Sequence, residues 1–233
     1  MNAQPDIAIV ASRRHTIILC AIVLAIAAAG YAATLQPPGG GSHGTAAPGG
    51  MALYLPLLIV EWGFFLYARA GLRRQGTSIA RVISARPLTG RAWLIDIALG
   101  AGLFAVLLGV EWLLDLGLGS ADNAGAEPLL VRRAIDIPLW IMLSMSAGFV
   151  EEFVFRGYLQ RQFGALLRCP WCGVVAQALL FGLAHGYQGP LLVVRIAVLG
   201  LVFGMAAKTR QSLVPGSIAH AAMDVAGGLA AFR

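Results

Sequence analysis

Charge is what this sequence has least of. Asp, Glu, Lys and Arg make up 12% of 233 residues, where an ordinary soluble domain carries about 25%. Lysine occurs once, at Lys208, against sixteen arginines. Cysteine occurs three times, so not every thiol can pair, and a disulfide-stapled scaffold is excluded. The two-histidine zinc helix His-Glu-x-x-His is absent. These shortages leave no room for a disordered chain, a nucleic-acid-binding domain or most soluble enzymes. What fills the chain is apolar: 58% hydrophobic residues and a mean hydropathy of +0.77. The formal charge of +6 would suggest nucleic acid in a soluble protein. Here the arginines sit in short segments between apolar runs, so membrane topology accounts for them.

Seven apolar runs can be drawn, at 16–35, 51–68, 92–114, 137–155, 171–187, 190–207 and 212–231. In lipid they must be helices, because an open sheet leaves backbone groups without partners. The alternation of barrel strands is missing, as is any internal repeat. The expected fold is all-α, a polytopic transmembrane helical bundle of about seven spans. Thirteen cationic residues fall on one side of these spans: Arg13 and Arg14, six between runs two and three, Arg156, Arg161 and Arg168, and Lys208 with Arg210. Only Arg132, Arg133 and Arg233 fall on the other. The bias places the N-terminus in the cytoplasm. The first run also fits a signal sequence loosely. Twenty apolar residues are long for one, so a retained span is expected. The uncharged Gly/Pro-rich segment 36–50 and the partly acidic 117–136 read as outer loops.

Ionisable residues inside such runs are costly, at least ~2.5–3.5 kcal/mol each at mid-bilayer, and usually have partners or a function. Asp96 lies near the inner end of its run and reads as an interfacial residue close to Arg91. Glu111 and Arg195 read as a structural pair or as snorkelling side chains. Glu61 is deeper, and structure and function weigh equally there. The remaining ionisable residues cluster on three runs near the end of the chain: Glu151-Glu152-Phe-Val-Phe-Arg156, Phe181-Gly-Leu-Ala-His185 and His220-Ala-Ala-Met-Asp224. Glu152 and Arg156 share a helix face at i,i+4 and can form an ion pair. Glu151 lies ~100° around the helix from Glu152. His220 and Asp224 are again i,i+4. Two imidazoles and a carboxylate in a cavity of low dielectric are what activation of a water requires. By helix rise, Glu151 and His220 fall in the inner half of the bilayer, but His185 comes ~21 Å from the inner start of its run. The fifth run therefore has to tilt strongly or begin deeper than drawn. A cavity opening to the cytoplasm is expected.

In order and separation, EEFVFR (151–156), FGLAH (181–185) and HAAMD (220–224) resemble the motifs of the CPBP family, the CAAX proteases and bacteriocin-processing enzymes also called the ABI family. The resemblance covers roughly residues 137–230. It implies an intramembrane endopeptidase with Glu151 as general base, His185 as its partner, and His220 with Asp224 on the oxyanion side. Glu152 and Arg156 would hold the site in place. Asp224 stands where the eukaryotic-type enzymes carry Asn, and an ionised Asp cannot donate to an oxyanion. It is therefore read as orienting His220 or as protonated by burial. The family has been described both as metalloproteases and as metal-independent glutamate proteases. The reading adopted is a site without cofactor, Glu151, His185 and His220 being the residues that would otherwise ligate zinc.

On this reading the chain divides into a cytoplasmic tail (1–15), a variable region of three spans (16–136) and a protease core formed by the last four spans (137–231). The expected partners are the lipid bilayer and a membrane protein or peptide substrate, with no nucleic acid and an oligomeric state left open. The Ala-, Gly- and Arg-rich composition fits a GC-rich bacterial genome, hence a bacterial inner membrane and a substrate that is not prenylated. A non-catalytic scaffold or immunity-type protein is the alternative, and a proton-coupled transporter using Glu61, Glu151 and the histidines a third. Cys169-Pro170-Trp171-Cys172 reads as two thiols with a Pro-Trp anchor at the cytoplasmic interface. Cys20 reads as a packing residue.

Overall fold

The computed structural model describes residues 8–35, 50–120, 126–230 and 232. Most of the expected outer loop 36–50, the first seven residues of the tail and part of 117–136 lie outside them. The described chain is helical, with an isolated bridge between Ser84 and Ser212 as its only β pairing. The helices are α1 (Arg13–Thr34), α2 (Gly50–Arg74), α3 (Ile79–Ile83), α4 (Gly90–Leu118), α5 (Ile137–Glu151), α6 (Gln160–Leu166), α7 (Pro170–Ala184), α8 (Pro190–Arg210) and α9 (Val214–Ala230). Between α5 and α6 the helix continues without a break as a π-helix, Glu152–Leu159.

Helix starts follow capping chemistry. Ser12 and Thr89 accept from backbone N–H groups in the first turns of α1 and α4, each satisfying an otherwise orphaned donor. Pro138, Pro170 and Pro190 stand in first turns, where a missing N–H costs nothing. α8 stops at Gln211 in the left-handed conformation (φ 57°). The α8–α9 turn is tied down by the short amphipathic stretch around α3: Ala85 N–H donates to Gln211 O, and Leu213 N–H to Ile83 O.

Five stretches are long and apolar enough to cross a membrane: Arg13–Ala33, Gly50–Arg74, Gly90–Leu118, Ala134–Leu166 and Pro190–Arg210. Their outward faces carry exposed large apolar side chains, such as Ile17, Ile59, Leu94, Trp112 and Met145. Such faces suit a solvent of acyl chains. The runs drawn at 171–187 and 212–231 form shorter helices, α7 of 15 residues and α9 of 17. At 1.5 Å per residue α7 rises about 22 Å, short of a ~30 Å core. The helix starts where the run was drawn and His185 follows its last residue, so the rise to His185 is the one expected and only tilt or a deeper start would bring it to the level of Glu151.

α5 is the central post, flanked by α2 and α9. Glycine makes the α5–α9 approach possible. A Cβ at Gly148 would lie 2.7 Å from both Ser217 O and Ala221 N, and one at Gly216 would lie 2.8 Å from Glu152 Oε2. Trp140 Nε1–H donates to the Asp224 carbonyl across the same seam.

Two acidic residues of the spans find cationic partners. Arg195 donates to Glu111 (2.6 Å), as the sequence suggests, and also to Asp115 (2.7 Å). Asp96, near the start of α4, is buried in the bundle, and its partner is Arg210 at 2.6 Å. Ser212 Oγ donates to its other oxygen. The α8–α9 turn brings both partners onto the start of α4, a long-range contact that the local sequence around Asp96 does not encode. At the opposite end of α7, Cys169 and Cys172 close into a disulfide where two thiols are expected. Their Cα atoms are 5.2 Å apart across the first turn, within bridging range.

Candidate active site

The EExxxR motif sits where α5 passes into the π-helix. Glu151 is the last residue of α5 and Glu152 the first of the π segment. The two carboxylates point to different surroundings. Glu152 is fully buried and meets Arg156 at 3.0 Å, the pair expected from i,i+4 spacing. It is an ion pair by distance, without an aligned hydrogen bond from Nη1. Arg156 is itself 1% exposed, and its guanidinium lies over the rings of Phe181 (4.2 Å) and Phe203 (5.0 Å). It also donates to the Gly200 carbonyl. Buried charge in an apolar bundle is tolerable only when paired in this way.

Glu151 instead borders a cavity of about 630 Å³ that draws on α1, α2, α4, α5, α7, α8 and α9. His185, His220 and Asp224 line the same cavity. The three motifs therefore meet in one place, and Glu152 with Arg156 packs behind it. His220 is the hub. Its Nδ1 is 3.3 Å from Glu152 Oε1, so this nitrogen donates to the carboxylate. Its Nε2 is 3.7 Å from Glu151 Oε2 and 3.8 Å from Asp224 Oδ2. Two adjacent carboxylates thus address the two nitrogens of one imidazole. Glu151 Oε2 is buried and accepts no hydrogen bond among the described residues, an acceptor left over for a ligand.

His185 follows the last residue of α7, and its Nδ1 lies 2.8 Å from the Phe181 carbonyl. A carbonyl only accepts, so Nδ1 carries the proton and Nε2 of the neutral ring holds the lone pair. His185 pairs with no carboxylate among the described residues. The structure brings Glu151 toward His220, with His185 elsewhere on the wall.

Some contributors carry no signal in the motifs. Phe181 is a motif letter, yet its work is visible only in three dimensions: it supports Arg156, stacks edge-on to His185 (4.9 Å) and approaches His220 (6.0 Å). Phe203, on α8 and outside every motif, covers the other side of Arg156 and packs at 5.2 Å from His220. Glu61, on α2, lines the cavity and accepts from Ser146 Oγ at 2.9 Å.

Among the described residues no group of three or more His, Cys, Asp or Glu side chains is arranged to hold a metal ion. His220 Nδ1 is committed to Glu152, and its Nε2 faces one carboxylate oxygen of Glu151 and one of Asp224 at 3.7 and 3.8 Å.

An all-helical chain with five membrane-length apolar helices and a polar cluster enclosed among them is an integral membrane protein with an internal site. Residues 133–226 match the family model described as type II CAAX prenyl endopeptidase Rce1-like. The matched segment is less than half of the chain and contains all three motifs, so this part is similar to a family of membrane proteases. Comparison with curated proteins and with solved structures gave no match.

Proposed function

We propose that the protein is an intramembrane endopeptidase that hydrolyses a peptide bond of a membrane-associated protein or peptide. The observation that carries the reading is the meeting of Glu151, His185, His220 and Asp224 on one cavity, with a fully buried Glu152–Arg156 pair behind them. A catalytic site needs a base with a free acceptor atom, and Glu151 Oε2 is one.

In this reading Glu151 takes a proton from a water whose oxygen attacks the carbonyl carbon. His185 Nε2 accepts the water's second hydrogen and orients it. The carbonyl π pair moves onto oxygen, and His220, acting as an imidazolium with its Nδ1–H held by Glu152, donates its Nε2–H to that oxyanion. Collapse restores the carbonyl and breaks the C–N bond, and the proton on Glu151 passes to the leaving amine. Asp224 fixes the His220 ring and does not itself donate. Glu152 and Arg156 position His220 from behind. The site works without a metal. The chain crosses a bacterial inner membrane seven times with its N-terminus in the cytoplasm, the shorter α7 and α9 completing a catalytic core with the spans around them. The distribution of arginine supports this orientation.

The test compares new protein termini, by mass spectrometry, in cells carrying wild type or Glu151→Ala at matched levels. Termini produced by wild type alone are expected, and their sequences name the substrate. Identical termini, with the variant still supporting the deletion phenotype, would replace the protease by a scaffold.

A further inference from the structure

The Cys169-Pro170-Trp171-Cys172 turn carries chemistry that the proposed hydrolysis does not use. It opens α7, and His185 follows the other end of that 15-residue helix. Neither cysteine lines the cavity. Cys169 is the N-cap, Pro170 stands in the first turn, and the Cys172 N–H donates to Cys169 Sγ at 3.1 Å. The two sulfurs are bonded to each other. The turn is braced from α6: Cys169 N–H donates to the Gly164 carbonyl, and a Cβ at Gly173 would collide with the Gln160 carbonyl.

Two asymmetries give the pair a direction of reaction. The first is access: Cys172 is exposed and Cys169 half-buried. The second is support of charge. A sulfur at the N-cap that accepts a backbone N–H keeps that donor when its bond opens, and the positive end of the helix favours the thiolate there. An incoming thiolate therefore reaches Cys172 Sγ. Cys169 Sγ is the sulfur that leaves, because the better-stabilised thiolate leaves faster.

The surroundings select the kind of thiol. Trp171 is 53% exposed, and Lys208 Nζ lies 5.2 Å from its ring centre. Arg168 directly precedes the pair and is exposed. From Phe153 to Met223 the chain carries no Asp or Glu, so every charge on α6, α7 and α8 is positive. A field of one sign attracts a reactant of the other.

We propose that Cys169 and Cys172 are a redox-active pair that exchanges with an anionic low-molecular-weight thiol of the glutathione class. The exchange stands apart from the endopeptidase reading. The thiolate of one small molecule attacks Cys172 Sγ and forms a mixed disulfide there. The Cys169–Cys172 bond breaks, and its electron pair stays on Cys169 Sγ. A second small thiolate attacks the small molecule's sulfur in the mixed disulfide, and Cys172 leaves as a thiolate. The protons of the two small thiols end on Cys169 and Cys172. The protein disulfide is reduced by two electrons, and the two small thiols are oxidised to their own disulfide. The reverse sequence closes the pair again.

Purified full-length protein in detergent is incubated with reduced or oxidised glutathione at set ratios. The state of each cysteine is read by mass spectrometry of peptides after quenching with N-ethylmaleimide, which also separates Cys20 from the pair. Reduced glutathione is expected to open the pair and oxidised glutathione to close it, with one equilibrium reached from both sides. Early quenching should find glutathione on Cys172 and maleimide on Cys169, by at least ~3-fold over the opposite arrangement. Arg168→Ala with Lys208→Ala should slow opening by glutathione ~2–10-fold and leave opening by neutral 2-mercaptoethanol unchanged. A pair that stays closed at every glutathione ratio, or that never closes in oxidised glutathione, overturns the exchange site. Glutathione found mainly on Cys169 overturns the direction of attack, and equal slowing with both thiols overturns the selection of an anion.

Discussion

Removing Arg156 should cost more than any other single truncation in the core. Its partner Glu152 is 0% exposed, so Arg156→Ala leaves a carboxylate buried without its cation, a loss of ~3–5 kcal/mol. The guanidinium also lies over Phe181 and Phe203, and desolvated contacts of that kind add ~0.5–2 kcal/mol each. His220 Nδ1 still reaches Glu152 and offsets a part, which leaves a net destabilisation of about 4 kcal/mol. Replacing both partners, as Glu152→Gln with Arg156→Met, removes the stranded charge and keeps the volume. That double variant should lie within about 2 kcal/mol of wild type. In the cycle closed by the single variants Glu152→Gln and Arg156→Met, the coupling is then at least ~2 kcal/mol.

The assay is thermal unfolding in detergent, followed by a thiol-reactive fluorophore at Cys20, which is free and half-buried. At ~2–4 °C per kcal/mol for a chain of this size, Arg156→Ala should melt about 10 °C lower, and the double variant should recover more than half of that. An Arg156→Ala midpoint within 2 °C of wild type, or additive effects in the cycle, would refute the claim that the pair is buried and mutually compensating.

Two further outcomes follow from packing and topology. Gly148→Val pushes a side chain into the Ser217 and Ala221 backbone and should cost ~1–3 kcal/mol by overpacking; Gly63→Ala, with open space around it, is the control and should not destabilise. If α7 begins at the cytoplasmic face, a membrane-impermeant maleimide should label Cys169 and Cys172 after reduction in inside-out vesicles and not in right-side-out ones, with labelled peptides read by mass spectrometry; the reverse pattern would invert the topology.

The helix spacings alone predict the Glu152–Arg156 pair, because i,i+4 residues share a face wherever the helix goes. They also place Glu151 away from that pair, and the structure has it on the cavity while Glu152 is sealed behind. Intra-helix periodicity stops there. It gives each helix its faces but not the rotation of one helix against another, so it does not decide whether Glu151 meets His185 or His220. That choice is made by the close α5–α9 seam, where Gly148 and Gly216 let backbone and carboxylate approach. Neither glycine stands out in a chain with 29 of them. The π-helix at Glu152–Leu159 is silent for the same reason, since all eight of its residues are buried by neighbours and nothing in the spacing marks a change of helical period.

Span count and partner choice fail in a related way. Hydropathy marks 171–187 as a run, but Cys169 and Pro170 start the helix and His185 ends it at 15 residues, because a run measures apolarity and not hydrogen bonding. Asp96 reads in sequence as an interfacial residue close to Arg91. Arg210 is the partner because the α8–α9 turn folds back against α4. Glu61 belongs to this class of residue. In sequence, structure and function weigh equally for it, and the fold gives it Ser146 and a place on the cavity wall. Arg195 and Arg156, the two buried arginines of the bundle, already serve Glu111 with Asp115 and Glu152.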